Sequence, residues 1–301
     1  MLPAPAIWPL TDIVIFDCDS TLASIEGIDE LARLTGSASA IAALTQRAMD
    51  GAVPLESVYS QRLHIAQPTQ AQVQYLRNLY RAHVVPDAPA LVTALQALGC
   101  RVFIVSGGLF EPVKEFAEWL DIPVENVYAV AMEYDQLAGQ WWRYWEQDGE
   151  HNPDANYLAV SDSPLTRNLG KNEIIAHLRR QHPGRAMLIG DGASDLEAAP
   201  EVDLFVGFGG VVRRAKVAAE SPIYIEALSL APILPLALGR LGNVAPWNEL
   251  FAAGMQAIQN GQVNFAQPYE LSQFLNTLNV VNNAAELIQG HPFLDLTYSF
   301  D

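Results

Sequence analysis

Two carboxylates two residues apart stand near the N-terminus, directly after a short apolar run. The segment reads IVIFDCDST, so Asp17 and Asp19 follow four β-favouring residues, with Cys18 between them. On an extended chain, residues i and i+2 point to the same side and Cys18 points to the other, toward the core. The two carboxylates could supply a nucleophile or could bind a cation. Taken alone, the same spacing is also found in ordinary turns and caps.

Further polar residues stand at comparable places, directly after apolar runs or at the start of a helical segment. Hydroxyl, amide and ammonium groups can donate hydrogen bonds to the oxygens of a phosphoryl group. Clustered carboxylates repel one another and need a cation, and a ligand set made only of oxygen favours magnesium. The residues are Ser106, Gly107 and Gly108 after RVFIV, Lys171 in GKNEII, and Asp191 and Asp195 after AMLI.

The elements that would position these residues alternate between strands and helices. The predicted strands are residues 13–16, 101–105, 126–132, 186–189, 204–206 and 223–225. This alternation predicts an α/β fold, a Rossmann-like parallel sheet with helices on both faces. Right-handed crossovers place the carboxyl ends of all parallel strands at one edge, where such sheets bind ligands. The scattered polar residues are therefore expected to meet in one pocket.

The chain is long enough for more than one compact unit. Residues 10–22 and 84–225 are predicted to form the catalytic core, and residues 23–83, which are helical in pattern, a small cap domain inserted after the first strand. Residues 226–301 form a C-terminal extension. The part from residue 227 onward contains one arginine, no lysine and five acidic residues. A segment so poor in charge is expected to pack on the core or to form a contact in a homodimer.

Composition excludes several classes of partner. The net charge of −17 argues against nucleic acid, whose phosphates must be met by lysine and arginine, and against an anionic membrane surface. The two cysteines lack the spacing of a zinc site. The N-terminus lacks a basic region followed by a signal-type apolar run, so a cytoplasmic location is expected.

The motifs FDCDST, IVSGG, the lysine of GKNEII, and LIGDGASDLEA resemble the four motifs of the haloacid dehalogenase superfamily of phosphatases. The resemblance covers roughly residues 13–225. It implies that Asp17 attacks phosphorus while Asp19 protonates the leaving group and then activates water. It also implies that Ser106 and Lys171 bind the phosphoryl group, and the amides of Gly107 and Gly108 are expected beside them as hydrogen-bond donors. The magnesium ligands that it implies are the Asp17 carboxylate, the Asp19 backbone carbonyl and Asp191, supported by Asp195.

Other segments resemble one branch of that superfamily, the phosphoserine phosphatases. These segments are EGIDELA, RAMDGAVPLESVYSQRLHIAQPT, and GFGG followed by VVRRAK. The resemblance implies that Glu26 binds the ammonium group of the substrate, that Arg62 binds its carboxylate and that Met49 lines the pocket. The guanidinium group of an arginine can donate two parallel hydrogen bonds to a carboxylate, and a carboxylate can form an ion pair with an ammonium group. The alternative is that Glu26 caps its helix and Arg62 lies at the surface.

Three functions remain open from the sequence. The first is magnesium-dependent hydrolysis of O-phosphoserine through a phosphorylated Asp17. The second is hydrolysis of another small phosphorylated metabolite, such as phosphocholine, phosphoethanolamine or a sugar phosphate. The third is a module that accepts phosphate without hydrolysing it, against which Asp19 argues. Trp141, Trp142 and Trp145 could cage a quaternary ammonium, although packing of a hairpin is the favoured interpretation.

Overall fold

The structure, a computed structural model, describes residues 8–49, 55–135, 155–167, 169–266 and 271–279. Side chains are described throughout these ranges except at residues 46–49 and 55–57. The predicted roles of Met49 and of the tryptophans between residues 141 and 145 therefore lie outside what the structure describes.

Seven described strands form one sheet in the order β3-β2-β1-β6-β7-β8-β9, and two more, β4 and β5, form a separate two-stranded sheet. Every neighbouring pair in the large sheet is parallel except β8 and β9. The predicted α/β fold is thereby confirmed. The strands are β1 (Ile13–Phe16), β2 (Arg101–Leu109), β3 (Val127–Val130), β4 (Met132–Tyr134), β5 (Tyr157–Val160), β6 (Ala186–Gly190), β7 (Leu204–Phe208), β8 (Ile223–Ile225) and β9 (Val263–Phe265).

The helices occupy both faces of the sheet and also fill the stretch between β1 and β2. In the described part of the chain they are α1 (Gly27–Leu34), α2 (Ala38–Met49), α3 (Leu55–Ala66), α4 (Gln70–Ala82), α5 (Ala88–Ala97), α6 (Phe110–Trp119), α7 (Gly170–Gln181), α8 (Ala193–Ala198), α9 (Ala215–Glu220), α10 (Ile233–Leu238), α11 (Asn248–Gln259) and α12 (Leu271–Asn279). No described helix combines the length and apolarity needed to cross a membrane.

The central strand β1 shows why the sheet needs cover on both sides. Val14 and Phe16 belong to one apolar cluster, which includes residues of α5, α6 and α10. Ile13 and Ile15 point the other way, into a second cluster built with α7, α8 and α9. Because the side chains of a strand alternate, a four-residue run that is entirely apolar is stable only between two layers of helices.

Two strands differ from the sequence prediction. β2 does not end at Val105 but continues through the SGG segment to Leu109, with a shift of register against β3. Glycines tolerate such an irregular extended path. The predicted strand at residues 126–132 is divided into β3 and β4, and β4 turns away from the sheet to pair antiparallel with β5.

The chain after β8 adds a strand to the sheet that periodicity did not predict. Strand β9 pairs antiparallel with β8, and α10 is buried along its whole length. Trp8 contacts this region: its indole Nε1 donates to the Leu236 carbonyl at 2.8 Å, and its ring meets Phe274 edge-on at 5.0 Å. A three-residue strand such as VNF carries too little pattern to be recognised without its partner.

Replacing Trp8 with alanine should destabilise the protein, because Trp8 is 5% exposed and joins the N-terminal segment to α10 and α12. The expected loss in the free energy of unfolding is about 3 kcal/mol, typical of a buried aromatic residue. Urea denaturation would measure it. Tyr75→Ala, at an aromatic residue 48% exposed on α4, should cost less than about 1 kcal/mol. Equal losses in the two variants would contradict the role given to Trp8.

Candidate active site

The edge formed by the carboxyl ends of β1, β2 and β6 collects the polar residues of three motifs. Phe16 pairs in register with Ile104 on one side and with Ile189 on the other. Asp17 therefore leaves the sheet beside the segments that carry Ser106 and Asp191. The parallel register alone brings these three positions together, as the order of motifs along the chain predicts.

Three carboxylates form a compact buried cluster at this edge. Carboxylate oxygens of Asp17, Asp191 and Asp195 all lie within 4.8 Å of one another. Lys171, at the start of α7, reaches into the cluster, with Nζ 2.6 Å from Asp195 Oδ1 and 3.1 Å from Asp17 Oδ2. Burial alone would lower the pKa of Lys171, but Asp17 and Asp195 outweigh it and raise that pKa. The lysine therefore stays charged and holds Asp17 in place.

Asp195 is positioned by the turn that precedes α8. The Gly192 amide donates to Asp195 Oδ2 at 3.0 Å, at the helix N-terminus. Gly190 leaves room for this carboxylate, because a Cβ added there would lie 2.2 Å from Asp195 Cγ. Asp195 is fully buried, and it contacts Lys171 rather than the cavity. Its placement suits a supporting role behind Asp17 and Asp191.

The glycine-rich end of β2 forms one wall of the cavity that contains Asp17. Ser106 is 1% exposed, and its Oγ accepts from the Gly108 amide at 3.1 Å. Gly107 and Gly108 both line the same cavity as Asp17. A hydroxyl group and small residues at this edge leave space for the oxygens of a phosphoryl group.

Asp19 faces the helices between β1 and β2. Its Oδ1 accepts a hydrogen bond from the Tyr80 hydroxyl of α4 at 2.7 Å. Burial, followed by the nearby Glu26, raises the pKa of Asp19 to about 8, although the bonds from Tyr80 and Gly27 act in the opposite direction. A carboxyl group that keeps its proton near neutral pH is suited to general acid catalysis.

A single cavity of about 290 Å³ joins these groups to the helices above them. It is large enough for a small phosphorylated metabolite. Its lining includes Asp17, Asp19, Glu26, Tyr59, Arg62, Ser106, Gly107, Gly108, Lys171, Asp191 and Arg214.

The two residues expected to recognise an amino acid both reach this cavity. Glu26 precedes α1, but its side chain makes no cap hydrogen bond and instead accepts from Ser20 Oγ at 2.8 Å. Arg62 of α3 is partly buried, and its Nε has no hydrogen-bond partner among the described residues. An unpaired donor at such a depth is costly unless a ligand accepts from it.

Arg214 is a residue of the cavity that the sequence did not single out. Its Nε donates to Asp191 Oδ2 at 2.8 Å, and its Nη2 lies 3.2 Å from Glu26 Oε1. The adjacent Arg213 instead pairs with Glu226 and has a side chain 69% exposed. The segment VVRRAK contains both arginines, and nothing in its sequence indicates which one points into the cavity.

The donor set of the carboxylate cluster fits a magnesium ion. Burial, followed by repulsion from Asp17, raises the pKa of Asp191 to about 6, although Arg214 acts in the opposite direction. Oxygen ligands without nitrogen or sulfur are those that magnesium prefers. Asp17 and Asp191 are the carboxylates of the cluster that also line the cavity.

Comparison with known proteins finds similarity to a family of hydrolases and to phosphoserine phosphatases. A family model for haloacid dehalogenase-like hydrolases matches residues 11–203. Phosphoserine phosphatase of Mus musculus is 37% identical over 215 residues, which make up 71% of this chain and 88% of the relative. The Homo sapiens phosphoserine phosphatase gives the same identity and coverage. A solved phospho-aspartyl intermediate analogue of phosphoserine phosphatase shares the fold, with a TM-score of 0.59 and 22% identity over 75% of this chain and 98% of that chain.

Proposed function

This chain belongs to the haloacid dehalogenase-like hydrolase family and is a phosphatase, and from that premise we propose that it hydrolyses O-phosphoserine to serine and phosphate through a phosphorylated Asp17. One observation carries the proposal. The cavity that contains Asp17 is also lined by Glu26 and Arg62, two groups of opposite charge contributed by the helical segment. A zwitterionic amino-acid phosphate needs both, whereas a sugar phosphate needs neither.

In the proposed first step, a carboxylate oxygen of Asp17 attacks phosphorus, and the bond between phosphorus and the ester oxygen breaks. Lys171, 3.1 Å from Asp17, orients the nucleophile and offsets the charge of the transferring group, together with the Ser106 hydroxyl and the amides of Gly107 and Gly108. Asp19 donates its proton to the departing oxygen of serine. In the second step Asp19 takes a proton from water, which attacks phosphorus, frees phosphate and regenerates Asp17.

Asp17, the backbone carbonyl of Asp19 and Asp191 would hold a magnesium ion, with Asp195 supporting them. When bound, the ion supplies positive charge that offsets the negative charge of the phosphoryl group. We further propose that residues 23–83 act as a cap over the core of residues 10–22 and 84–225. Such a cap admits the substrate and then excludes water other than the attacking molecule.

Arg62 provides the test of substrate class. Arg62→Ala should raise KM for O-phosphoserine by about 30-fold or more, because a charge-assisted bond to the substrate carboxylate is lost. KM for 4-nitrophenyl phosphate, which has no carboxylate, should change by less than about 3-fold. Arg77→Ala is the matched control, since Arg77 also lies on the helical segment but pairs with Glu115 outside the cavity.

The wild-type chain should first be assayed on a panel of esters that contains phosphoserine, phosphothreonine, phosphocholine, phosphoethanolamine, glycerol phosphate and a sugar phosphate. Preference for phosphoserine, together with the selective effect of Arg62→Ala, would support the proposal. An equal rise in KM for phosphoserine and the aryl ester would show that Arg62 does not bind the substrate carboxylate. A preference for phosphocholine or a sugar phosphate would replace the substrate while keeping the phosphatase chemistry.

A further inference from the structure

Tyr80 is a buried tyrosine that belongs to none of the sequence motifs, yet its hydroxyl contacts Asp19. It is fully buried on α4, and its hydroxyl donates to Asp19 Oδ1 at 2.7 Å. A hydrogen bond of this length to a carboxyl group is among the stronger ones in proteins. The sequence motifs account for Asp17, Asp19, Ser106, Lys171 and Asp191, and they leave Tyr80 without a role.

The tyrosine ring is held on two sides. It stacks on Phe116 of α6, with ring centroids 5.5 Å apart and planes inclined by 22°. Phe116 in turn stacks on Trp119 at 5.9 Å. On the other side Gly27 leaves room for the hydroxyl, because a Cβ added there would lie 2.3 Å from the Tyr80 oxygen. A ring packed in this way has one orientation, so the hydroxyl is fixed in space.

The two carboxylate oxygens of Asp19 face different parts of the structure. Oδ1 lies on the helical side, bonded to Tyr80 and 3.7 Å from a Cβ built on Gly27. Oδ2 lies toward the glycine-rich end of β2, 3.5 Å from a Cβ built on Gly108. The amide of Gly108 is bonded to Ser106 Oγ. The second oxygen of Asp19 therefore faces the end of β2 that lines the cavity.

We propose that Tyr80 is a positioning residue that keeps Asp19 Oδ2 directed at the ester oxygen of the substrate. The inference rests on the proposed function, because it assigns Asp19 the proton that the leaving group receives. Without the Tyr80 hydroxyl, Asp19 keeps its chemistry and its hydrogen bond from the Gly27 backbone, but it loses the side-chain hydrogen bond that helps to fix its rotamer. General acid catalysis depends on hydrogen-bond reach to the accepting atom, so a less firmly held Asp19 donates its proton less efficiently.

Tyr80→Phe removes one oxygen atom and keeps the ring and its stacking. The measurement is kcat/KM for two substrates, O-phosphoserine and 4-nitrophenyl phosphate. This ratio reports only the steps up to the departure of the leaving group, so later hydrolysis of the phosphorylated Asp17 does not enter it. The alkoxide of serine needs a proton, whereas 4-nitrophenolate is stable enough to leave without one.

We expect kcat/KM to fall about 10- to 100-fold for phosphoserine and less than about 3-fold for the aryl ester. Tyr224→Phe is the matched control: Tyr224 is also buried, and its hydroxyl has no hydrogen-bond partner in the part of the chain that is described. It should leave both values unchanged. Thermal unfolding of each variant shows whether the fold is retained.

Gly27→Ala is a second, independent variant, because the added Cβ displaces the Tyr80 hydroxyl instead of deleting it. Gly27→Ala should therefore also lower kcat/KM for O-phosphoserine, whose leaving group is poor, and leave kcat/KM for 4-nitrophenyl phosphate nearly unchanged. Equal losses for both substrates in Tyr80→Phe would assign Tyr80 a purely structural role and overturn the inference, as would no loss at all. If the wild-type chain hydrolyses a different alkyl phosphate, the proposed substrate fails while the comparison of leaving groups proceeds with that ester.

Discussion

Asp17→Asn should abolish turnover of every phosphate ester that the wild-type chain hydrolyses. An amide has no charged oxygen to attack phosphorus, and it is a poorer magnesium ligand. Removal of a nucleophile of this kind lowers kcat by on the order of 10⁴-fold or more. The fold should survive, because Asn has the shape of Asp and its substitution reduces the repulsion among Asp17, Asp191 and Asp195, which lie within 4.8 Å of one another.

The assay would combine steady-state turnover with acid quenching of a reaction on labelled substrate. The wild-type protein should retain label on the peptide that contains Asp17, and Asp17→Asn should retain none. Asp121→Asn is the matched control, because Asp121 is an exposed residue with φ of 60°, a conformation that asparagine adopts readily. Intact mass would exclude deamidation back to aspartate. Substantial turnover by an undeamidated Asp17→Asn protein would sink the aspartyl-phosphate mechanism.

Chelation should have an effect of similar size. EDTA is expected to remove activity almost completely, and excess magnesium to restore it, because the three buried carboxylates outnumber Lys171 and Arg214, the cationic side chains that pair with them. Calorimetric titration of the metal-free protein gives a readout that does not depend on catalysis. Asp191→Asn should weaken magnesium binding by at least about 100-fold, since loss of an outer-shell partner alone costs about 10- to 100-fold. Full activity in EDTA, or unchanged affinity in Asp191→Asn, would contradict this assignment.

The pH dependence of magnesium binding follows from the pKa of Asp191, which burial and Asp17 raise to about 6. Below that pH the carboxyl group holds a proton that magnesium must displace; above it the group is ionised. Affinity should therefore fall as pH decreases through 6 and should change much less on the alkaline side. Titrations at several pH values between about 5 and 8 would measure this. Affinity that rises toward low pH would contradict the raised pKa.

The order of motifs along the chain was enough to predict which strand ends meet. Asp17, Ser106 and Asp191 each follow a buried run, and in a parallel sheet all such ends share one edge. The pairing of Phe16 with Ile104 and Ile189 agrees with that prediction. The structure of the chain after residue 226 was harder to predict from the sequence, because the short segment β9 is a strand only through its pairing with β8.

Tyr80 and Arg214 mark the limit of sequence reasoning for the site itself. Both belong to segments with no catalytic motif, and each is one of several similar residues nearby. Tyr75 lies on the same helix as Tyr80 but is 48% exposed, and Arg213 precedes Arg214 but pairs with Glu226 at the surface. Which member of each pair turns inward depends on how its segment packs, not on its own residue type.

The sequence by itself determined the α/β class and the shared edge, because each hydrophobic run is a local pattern and the ends of parallel strands then meet at one edge of the sheet. Only the tertiary structure decided the contacts across that edge, such as the hydroxyl of Tyr80 on Asp19 and the guanidinium of Arg214 between Asp191 and Glu26. Those contacts join residues 23 to 188 positions apart. Their geometry depends on the packing of whole helices, which no local pattern encodes.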